Sequence, residues 1–313
     1  MEKFTCSFDK NVLTIHLHTL EVFRLLILQN GRLSSSSDDG KLIIYNKITF
    51  RPDLIISEHE EEALPYHIQL KNGNIVTCSY DKTIKIIKLK GKKEYELLQT
   101  IKDHNDNVLK VLEYKDNNII SCSYYQTMKI FTLKNRKYIC SQSIEINPTS
   151  KDDSNLLFIK GFSEILTSST ENSYIKFWNI ENLNDIKLMK AIYGISCSVW
   201  PNSMAVLEEK LIIGTESNGI FLINIKNYKL IRNIWNDISH ICTVISLLNG
   251  NILIGGRDDE GQSIIELKIT NNNIFKMKSK NTEHTENITD IISLNNGKII
   301  TCSMDEHIKF FSE

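Results

Sequence analysis

Short apolar runs recur along this chain, each closed by a polar turn and followed by a run of alternating character. Residues 77–86 read TCSYDKTIKI and residues 301–310 read TCSMDEHIKF. IVTCS, ahead of the first of these turns, is a short β-favouring run, and TIKII after it alternates polar and apolar side chains, the period of a half-buried strand. Asn-Gly ahead of several such runs predicts tight turns, because both residues accept positive φ at low cost. Another strand-like run lies upstream, as in VLKVLEY (108–114) and ITDIISL (288–294), and another downstream, as in YELLQTI (95–101) and YKLIRNI (228–234). The unit predicted is four antiparallel strands.

Seven copies of this unit are anchored at Leu33, Ile75, Ile119, Ile165, Leu211, Ile252 and Ile299, between 41 and 47 residues apart. A period in the forties built from strands is that of propeller blades. The pattern therefore predicts an all-β fold, a seven-bladed β-propeller of four-stranded antiparallel blades. The last copy ends at Phe311 without a fourth strand, whereas VLTIHL (12–17) reads as a strand ahead of the first copy. Residues 12–17 are expected to supply the outer strand of the last blade and close the ring, which makes residues 1–313 one domain and removes unpaired edges. TCSFDKN (5–11) imitates the repeated phrase, but the stretch before His18 has room for one strand only, so the likeness is read as chance or a degenerate relic.

The repeat resembles the WD40 family, and the resemblance covers almost the whole chain. It implies a buried network of a His before the first strand, a Ser or Thr on the second, an Asp in the next turn and a Trp on the third. His18, His59, His104 and His284 stand at the His position; Asp39, Asp81, Asp258 and Asp305 stand at the Asp position. Trp178 holds the Trp position, which elsewhere carries Tyr45, Ile87, Phe131, Ile223 and Phe311. The repeats are degenerate: Trp178 is followed by Asn179, and Tyr125, Asn172 and Asn218 replace the Asp in three copies.

Composition adds mainly exclusions. The chain has 37 basic and 38 acidic residues for a net charge of −1, which leaves no electrostatic footprint for nucleic acid or anionic lipid. No apolar run approaches the ~18–20 residues that span a bilayer, and the N-terminus lacks the pattern of a secretory signal. Seven cysteines without a C-x-x-C pair suggest an intracellular, reduced, cytoplasmic setting, with the nucleus not excluded. Cys78, Cys122 and Cys302 share one repeat position with Ser36 and Ser168, which reads as a site for small residues rather than a zinc site. The acidic turn RDDEG (257–261) lacks the ligand spacing of a calcium loop, and no phosphate-binding or nucleophile motif occurs. No cofactor, metal ligand or catalytic residue is assigned, and the basic stretch KLKGKKEYE (88–96) reads as a solvated turn.

The resemblance implies a non-enzymatic interaction scaffold, a subunit of a larger assembly, that presents a protein- or peptide-binding face around the central channel. The residues just before each turn Asp are then expected at the mouth: Asp38, Tyr80, Tyr124, Glu216, Arg257 and Met304, with Thr170 or Glu171 in the fourth copy and Trp200 nearby. Tyr, Trp, Met and Arg are the residue types enriched at interfaces. The alternatives are a substrate receptor or regulatory subunit of a ubiquitin ligase, and a propeller enzyme with a central-channel site. The first is weakened by the few arginines and by WNIE at 178–181 in place of W-D-x-R; FRLL at 23–26 likewise departs from the F-R-R-G of phosphoinositide-binding propellers. An enzyme would be marked by coupled carboxylates or histidines with perturbed pKa in the mouth.

Overall fold

A computed structural model of the chain describes residues 5–9, 12–59, 61–124, 127–146, 154–159, 164–169, 174–183, 185–193, 203–215, 219–234, 239–270, 273–294 and 296–311. Two N-terminal strands, β1 (Thr5–Asp9) and β2 (Val12–His16), precede blade one, made of β3 (Val22–Ile27), β4 (Leu33–Ser37), β5 (Leu42–Tyr45) and β6 (Pro52–Ile56). Blade two is β7 (Tyr66–Gln69), β8 (Ile75–Cys78), β9 (Ile84–Leu89) and β10 (Tyr95–Ile101). Blade three is β11 (Val108–Tyr114), β12 (Asn118–Ser123), β13 (Thr127–Lys134) and β14 (Lys137–Glu145). Blade four is β15 (Ser154–Ile159), β16 (Glu164–Ser169), β17 (Tyr174–Asn179) and β18 (Lys187–Tyr193). Blade five is β19 (Met204–Leu207), β20 (Lys210–Gly214), β21 (Ile220–Asn224) and β22 (Lys229–Ile234). Blade six is β23 (Ser239–Ser246), β24 (Asn251–Asp258), β25 (Gly261–Thr270) and β26 (Asn273–Asn281).

The remaining strands, β27 (Ile288–Ser293), β28 (Ile299–Ser303) and β29 (His307–Phe311), join β2 and β1 in one five-stranded closing sheet. This corrects the expectation drawn from the repeat count: the structure has six four-stranded blades, not seven, and the seventh copy is completed into a sheet of a different size. The reason is the N-terminal segment. Val12–His16 pairs antiparallel with β29, with Ile15 opposite Ile308 and Leu13 opposite Phe310. It is not the outermost strand, because Thr5–Asp9, in the segment read as a chance likeness or degenerate relic, forms a further strand against it.

The local chemistry explains the hairpins. Four Asn-Gly turns place Gly31, Gly73, Gly250 and Gly297 at φ between +77° and +88°, where a Cβ would clash with the backbone. Each of these glycines donates its N–H to a carbonyl three residues back, from Leu28, Leu70, Leu247 and Leu294. The first strands β3, β7, β11, β15, β19, β23 and β27 form an inner ring, each beside the next, with β27 returning to β3.

The core is not one mass but a series of clusters between adjacent sheets. Leu42, Ile44, Leu54 and Ile56 of blade one, for example, pack on Ile75 and Ile87 of blade two. The shared small-residue position has a steric cause. A Cβ built on Gly255 would lie 2.7 Å from Thr243 Cγ2 and 2.9 Å from Ile288 Cγ2, so little space remains between the second strand and the inner strands of its own and the next sheet. Cys78, Cys122 and Cys302 occupy the same position, buried and unbridged, and burial pushes the thiols of Cys78 and Cys302 up.

Candidate protein-binding face

Buried polar networks anchor the loops of one face. In blade one, His18 Nδ1 donates to the Asp39 carboxylate at 3.0 Å, His18 Nε2 meets Ser35 Oγ at 2.7 Å, and Ser35 meets the Tyr45 hydroxyl at 2.8 Å. Tyr45 thus supplies from the Trp position the polar end that an Ile or Phe lacks. In blade two, His59 joins Asp81 at 2.8 Å and Thr77 at 2.7 Å. In the closing sheet, His284 joins Asp305 and Thr301, each at 2.8 Å. Each carboxylate also holds its own turn: Asp39 accepts from the N–H groups of Thr19 and Lys41, Asp81 from Thr83, and Asp305 from Thr285 and His307. Burial alone would raise these three carboxyls, but the histidine and N–H donors outweigh it and hold them below the usual range.

Two positions depart from this scheme. Blade three has no carboxylate beside its histidine among the described residues: His104 Nε2 meets Ser121 Oγ at 2.6 Å, its Nδ1 faces Thr127 Oγ1 at 3.4 Å, and Tyr125 lies outside the description. Burial, with the Lys129 charge adding to it, pushes His104 down to about 3. Asp258 reaches no histidine. The β24–β25 hairpin runs longer here, and its carboxylate accepts from Ser263, Ser279 and the Glu260 N–H within its own blade.

The anchored loops bring the predicted residues to one rim. Asp38, Tyr80, Tyr124 and Met304 each donate a backbone N–H to the carbonyl three residues before the inner-strand residue below: to Glu21, Ala63, Asn107 and Asn287, at 2.9–3.1 Å. Arg257 pairs with Ser239 at the matching place in blade six and is exposed. Tyr124 is 38 % exposed. Asp38 and Met304 are half-buried, as is Tyr80, whose side chain packs against the cluster of Leu109 and Tyr114. Glu216, Trp200, Thr170 and Glu171 lie outside the described residues.

Sequence reading missed two layers of this face. Glu21 joins Asp38, Glu62 and Glu286 in an acidic sector of the rim. Burial and the neighbouring carboxylates raise both Glu21 and Asp38. Beneath the rim, three residues along each inner strand, lie Arg24, Tyr66, Lys110 and Asp290. Asp290 is fully buried and accepts from Arg24 Nη1 and from the Leu25 N–H, both at 2.9 Å. The Arg24 guanidinium lies 4.6 Å from the Tyr66 ring centre, and Lys110 Nζ lies 4.9 Å from the same ring. Burial, reinforced by Arg24, pushes Lys110 down to about 7. Asp290 keeps a raised carboxyl, since burial exceeds the pull of Arg24. Charged residues on strands otherwise apolar were the available signal. His67, given no role from sequence, links two blades: its Nε2 donates to Ser34 Oγ at 2.9 Å, and Ser36 Oγ donates to its Nδ1 at 3.0 Å. Among the described residues, no three His, Cys, Asp or Glu side chains group as metal ligands.

The model for the family "WD domain, G-beta repeat" matches residues 276–312, which take in the latter part of β26 of blade six and the last copy of the repeat. That stretch is similar to one WD40 repeat. The crystal structure of the WD40 β-propeller domain of Doa1 is similar in fold, with a TM-score of 0.74 over 97 % of this chain and 98 % of that one, at 20 % identity. No curated protein matches the sequence. The His284–Asp305–Thr301 network lies inside that matched repeat, and the chain has the fold of a WD40 β-propeller, one typical of protein-interaction scaffolds. No helix is long and apolar enough to cross a membrane among the described residues.

Proposed function

We propose that this protein is an interaction scaffold that engages a partner protein through the rim bearing Asp38, Tyr80, Tyr124, Arg257 and Met304, within a larger assembly. The observation that carries this reading is the repeated backbone bond that fixes Asp38, Tyr80, Tyr124 and Met304, four of these five residues, in the same geometry above an inner strand. Side chains presented from rigidly held turns lose little conformational freedom on binding. An exposed Tyr together with a half-buried Tyr and Met on the same rim offers contact area of the kind that dominates interfaces.

The acidic sector supports a partner that presents basic side chains. Glu21, Asp38, Glu62 and Glu286 repel one another, and an Arg or Lys placed among them would relieve that repulsion. The same pair of raised carboxyls is the feature asked of the enzyme alternative, so the test must separate the two. Affinity capture from the native cell would compare the unaltered protein with Tyr124→Glu/Met304→Glu and with Glu21→Gln/Asp38→Asn, after matched melting curves. Partners lost from both variants support the reading. Identical partner sets would refute the rim as the binding surface.

A further inference from the structure

Each sheet covers the next through a few equivalent positions on its third and fourth strands. The central position of the third strand is Ile44, Ile86, Ile130, Phe177, Leu222 and Phe310 in six sheets; in blade six it is Glu266. One position on the fourth strand is Ile56, Ile101, Ile144, Ile192, Ile234 and Ile15 in those six; in blade six it is Lys280. Lys278 stands opposite Glu266, where blade one has Leu54. In blade one, Leu42, Ile44, Leu54 and Ile56 cover Ile75 and Ile87. The equivalents of those covered residues at the other junction, Ile299 and Phe311, line an open groove of about 400 Å³ between blade six and the closing sheet, floored also by Leu253 and Ile264.

The charges along this groove are not balanced. Glu266 is held at one end by Asn251 Nδ2 at 2.6 Å and Asn249 Nδ2 at 3.3 Å. Lys280 Nζ lies 5.2 Å from the Phe311 ring centre, and Lys278 is exposed with no ion pair among the described residues. β26 is the outermost strand of its sheet, so a backbone edge runs beside the lysines.

We propose that this groove is a second docking site, taking an extended acidic segment of a partner protein that inserts apolar side chains over Ile299 and Phe311 while its carboxylates meet Lys278 and Lys280. An apolar floor with a basic lip selects that chemistry, and the strand edge suits an extended backbone. The groove is opposite in charge to the acidic sector of the rim, so the two sites would sort segments by sign.

The test uses fluorescence anisotropy on the full chain, with a labelled ten-residue peptide of two adjacent leucines flanked on both sides by aspartates. Binding is expected to weaken about tenfold or more in Lys278→Glu/Lys280→Glu. Lys278→Leu/Lys280→Ile, which restores the residue types of blade one and closes the groove, should abolish binding while keeping or raising the melting temperature. Lys268→Glu, on the neighbouring strand outside the groove, and Tyr124→Glu/Met304→Glu, at the rim, should bind as the unaltered chain does, so the fate of this site is independent of the rim. The proposal is overturned if the peptide fails to bind, if both groove variants bind it unchanged, or if a lysine-flanked peptide binds as well.

Discussion

His104 gives blade three an acid sensitivity that a single substitution can isolate. Its imidazole is buried, close to Lys129, and among the described residues lacks the carboxylate that partners His18, His59 and His284. The folded protein therefore holds it neutral down to about pH 3, whereas the unfolded chain protonates it near the ordinary histidine value of about 6.5. Between those values the unfolded state binds the extra proton, so stability falls as pH falls through that window and levels off below it. Each pH unit in the window corresponds to about 1.4 kcal/mol. From pH 7 to pH 5 this one group should cost about 2 kcal/mol. His104→Gln retains a hydrogen-bonding group for Ser121 and cannot titrate. Urea unfolding at pH 7, 6 and 5 should show the unaltered protein losing about 2 kcal/mol more than the variant over that range. A stability difference that stays constant with pH would refute the reasoning, since all other titrating groups are common to both.

Removing the Arg24 side chain with Arg24→Met leaves Asp290 buried without its charge partner and should destabilise by about 3–5 kcal/mol; Arg24→Met/Asp290→Leu should cost clearly less than the sum of the single changes in a double-mutant cycle. Gly255→Ala forces a Cβ against Thr243 and Ile288, and should lower stability by about 1–3 kcal/mol in denaturant melts. Asp305→Ala strips His284 Nδ1 of its acceptor together with the N–H groups of Thr285 and His307; a loss of about 3 kcal/mol is expected at neutral pH, and the gap should narrow progressively as the pH falls from about 4 toward the depressed folded value of this carboxyl, by about 1.4 kcal/mol per pH unit. Tyr45→Phe removes only the hydroxyl bonded to Ser35 and should cost about 1 kcal/mol, read as a shift in denaturation midpoint.

What the sequence disclosed followed from local rules repeated in register. Strand pairs such as Val108–Tyr114 with Asn118–Ser123 are announced by alternation and by turn residues a few positions apart. His18, His104 and His284 each stand four residues ahead of their strands, so the repeat phase together with the family resemblance picked them out. The features that escaped depend on partners distant in sequence. Arg24 meets Asp290 across 266 positions, and His67 finds Ser34 and Ser36 on another sheet. The extra strand Thr5–Asp9 escaped because its letters matched a second-strand phrase while its pairing was set by the free edge of Val12–His16. Glu266 and Lys280 were readable in principle by aligning the third and fourth strands. At the level of a single strand, however, they look like any solvated polar position.

The order in which the closing sheet is assembled differs from that of the six blades. Each blade's four strands leave the ribosome together, but His16 and its bonding partner Glu306 are 290 positions apart. At bacterial to eukaryotic translation rates the first strands would wait on the order of tens of seconds for β29 to appear. Through that interval β2 offers an apolar face and a backbone edge with no lasting mate. A nascent chain of this design is thus most prone to misassociation at β1 and β2, and a helper protein that shelters these two strands until β29 is made would act where the need is greatest.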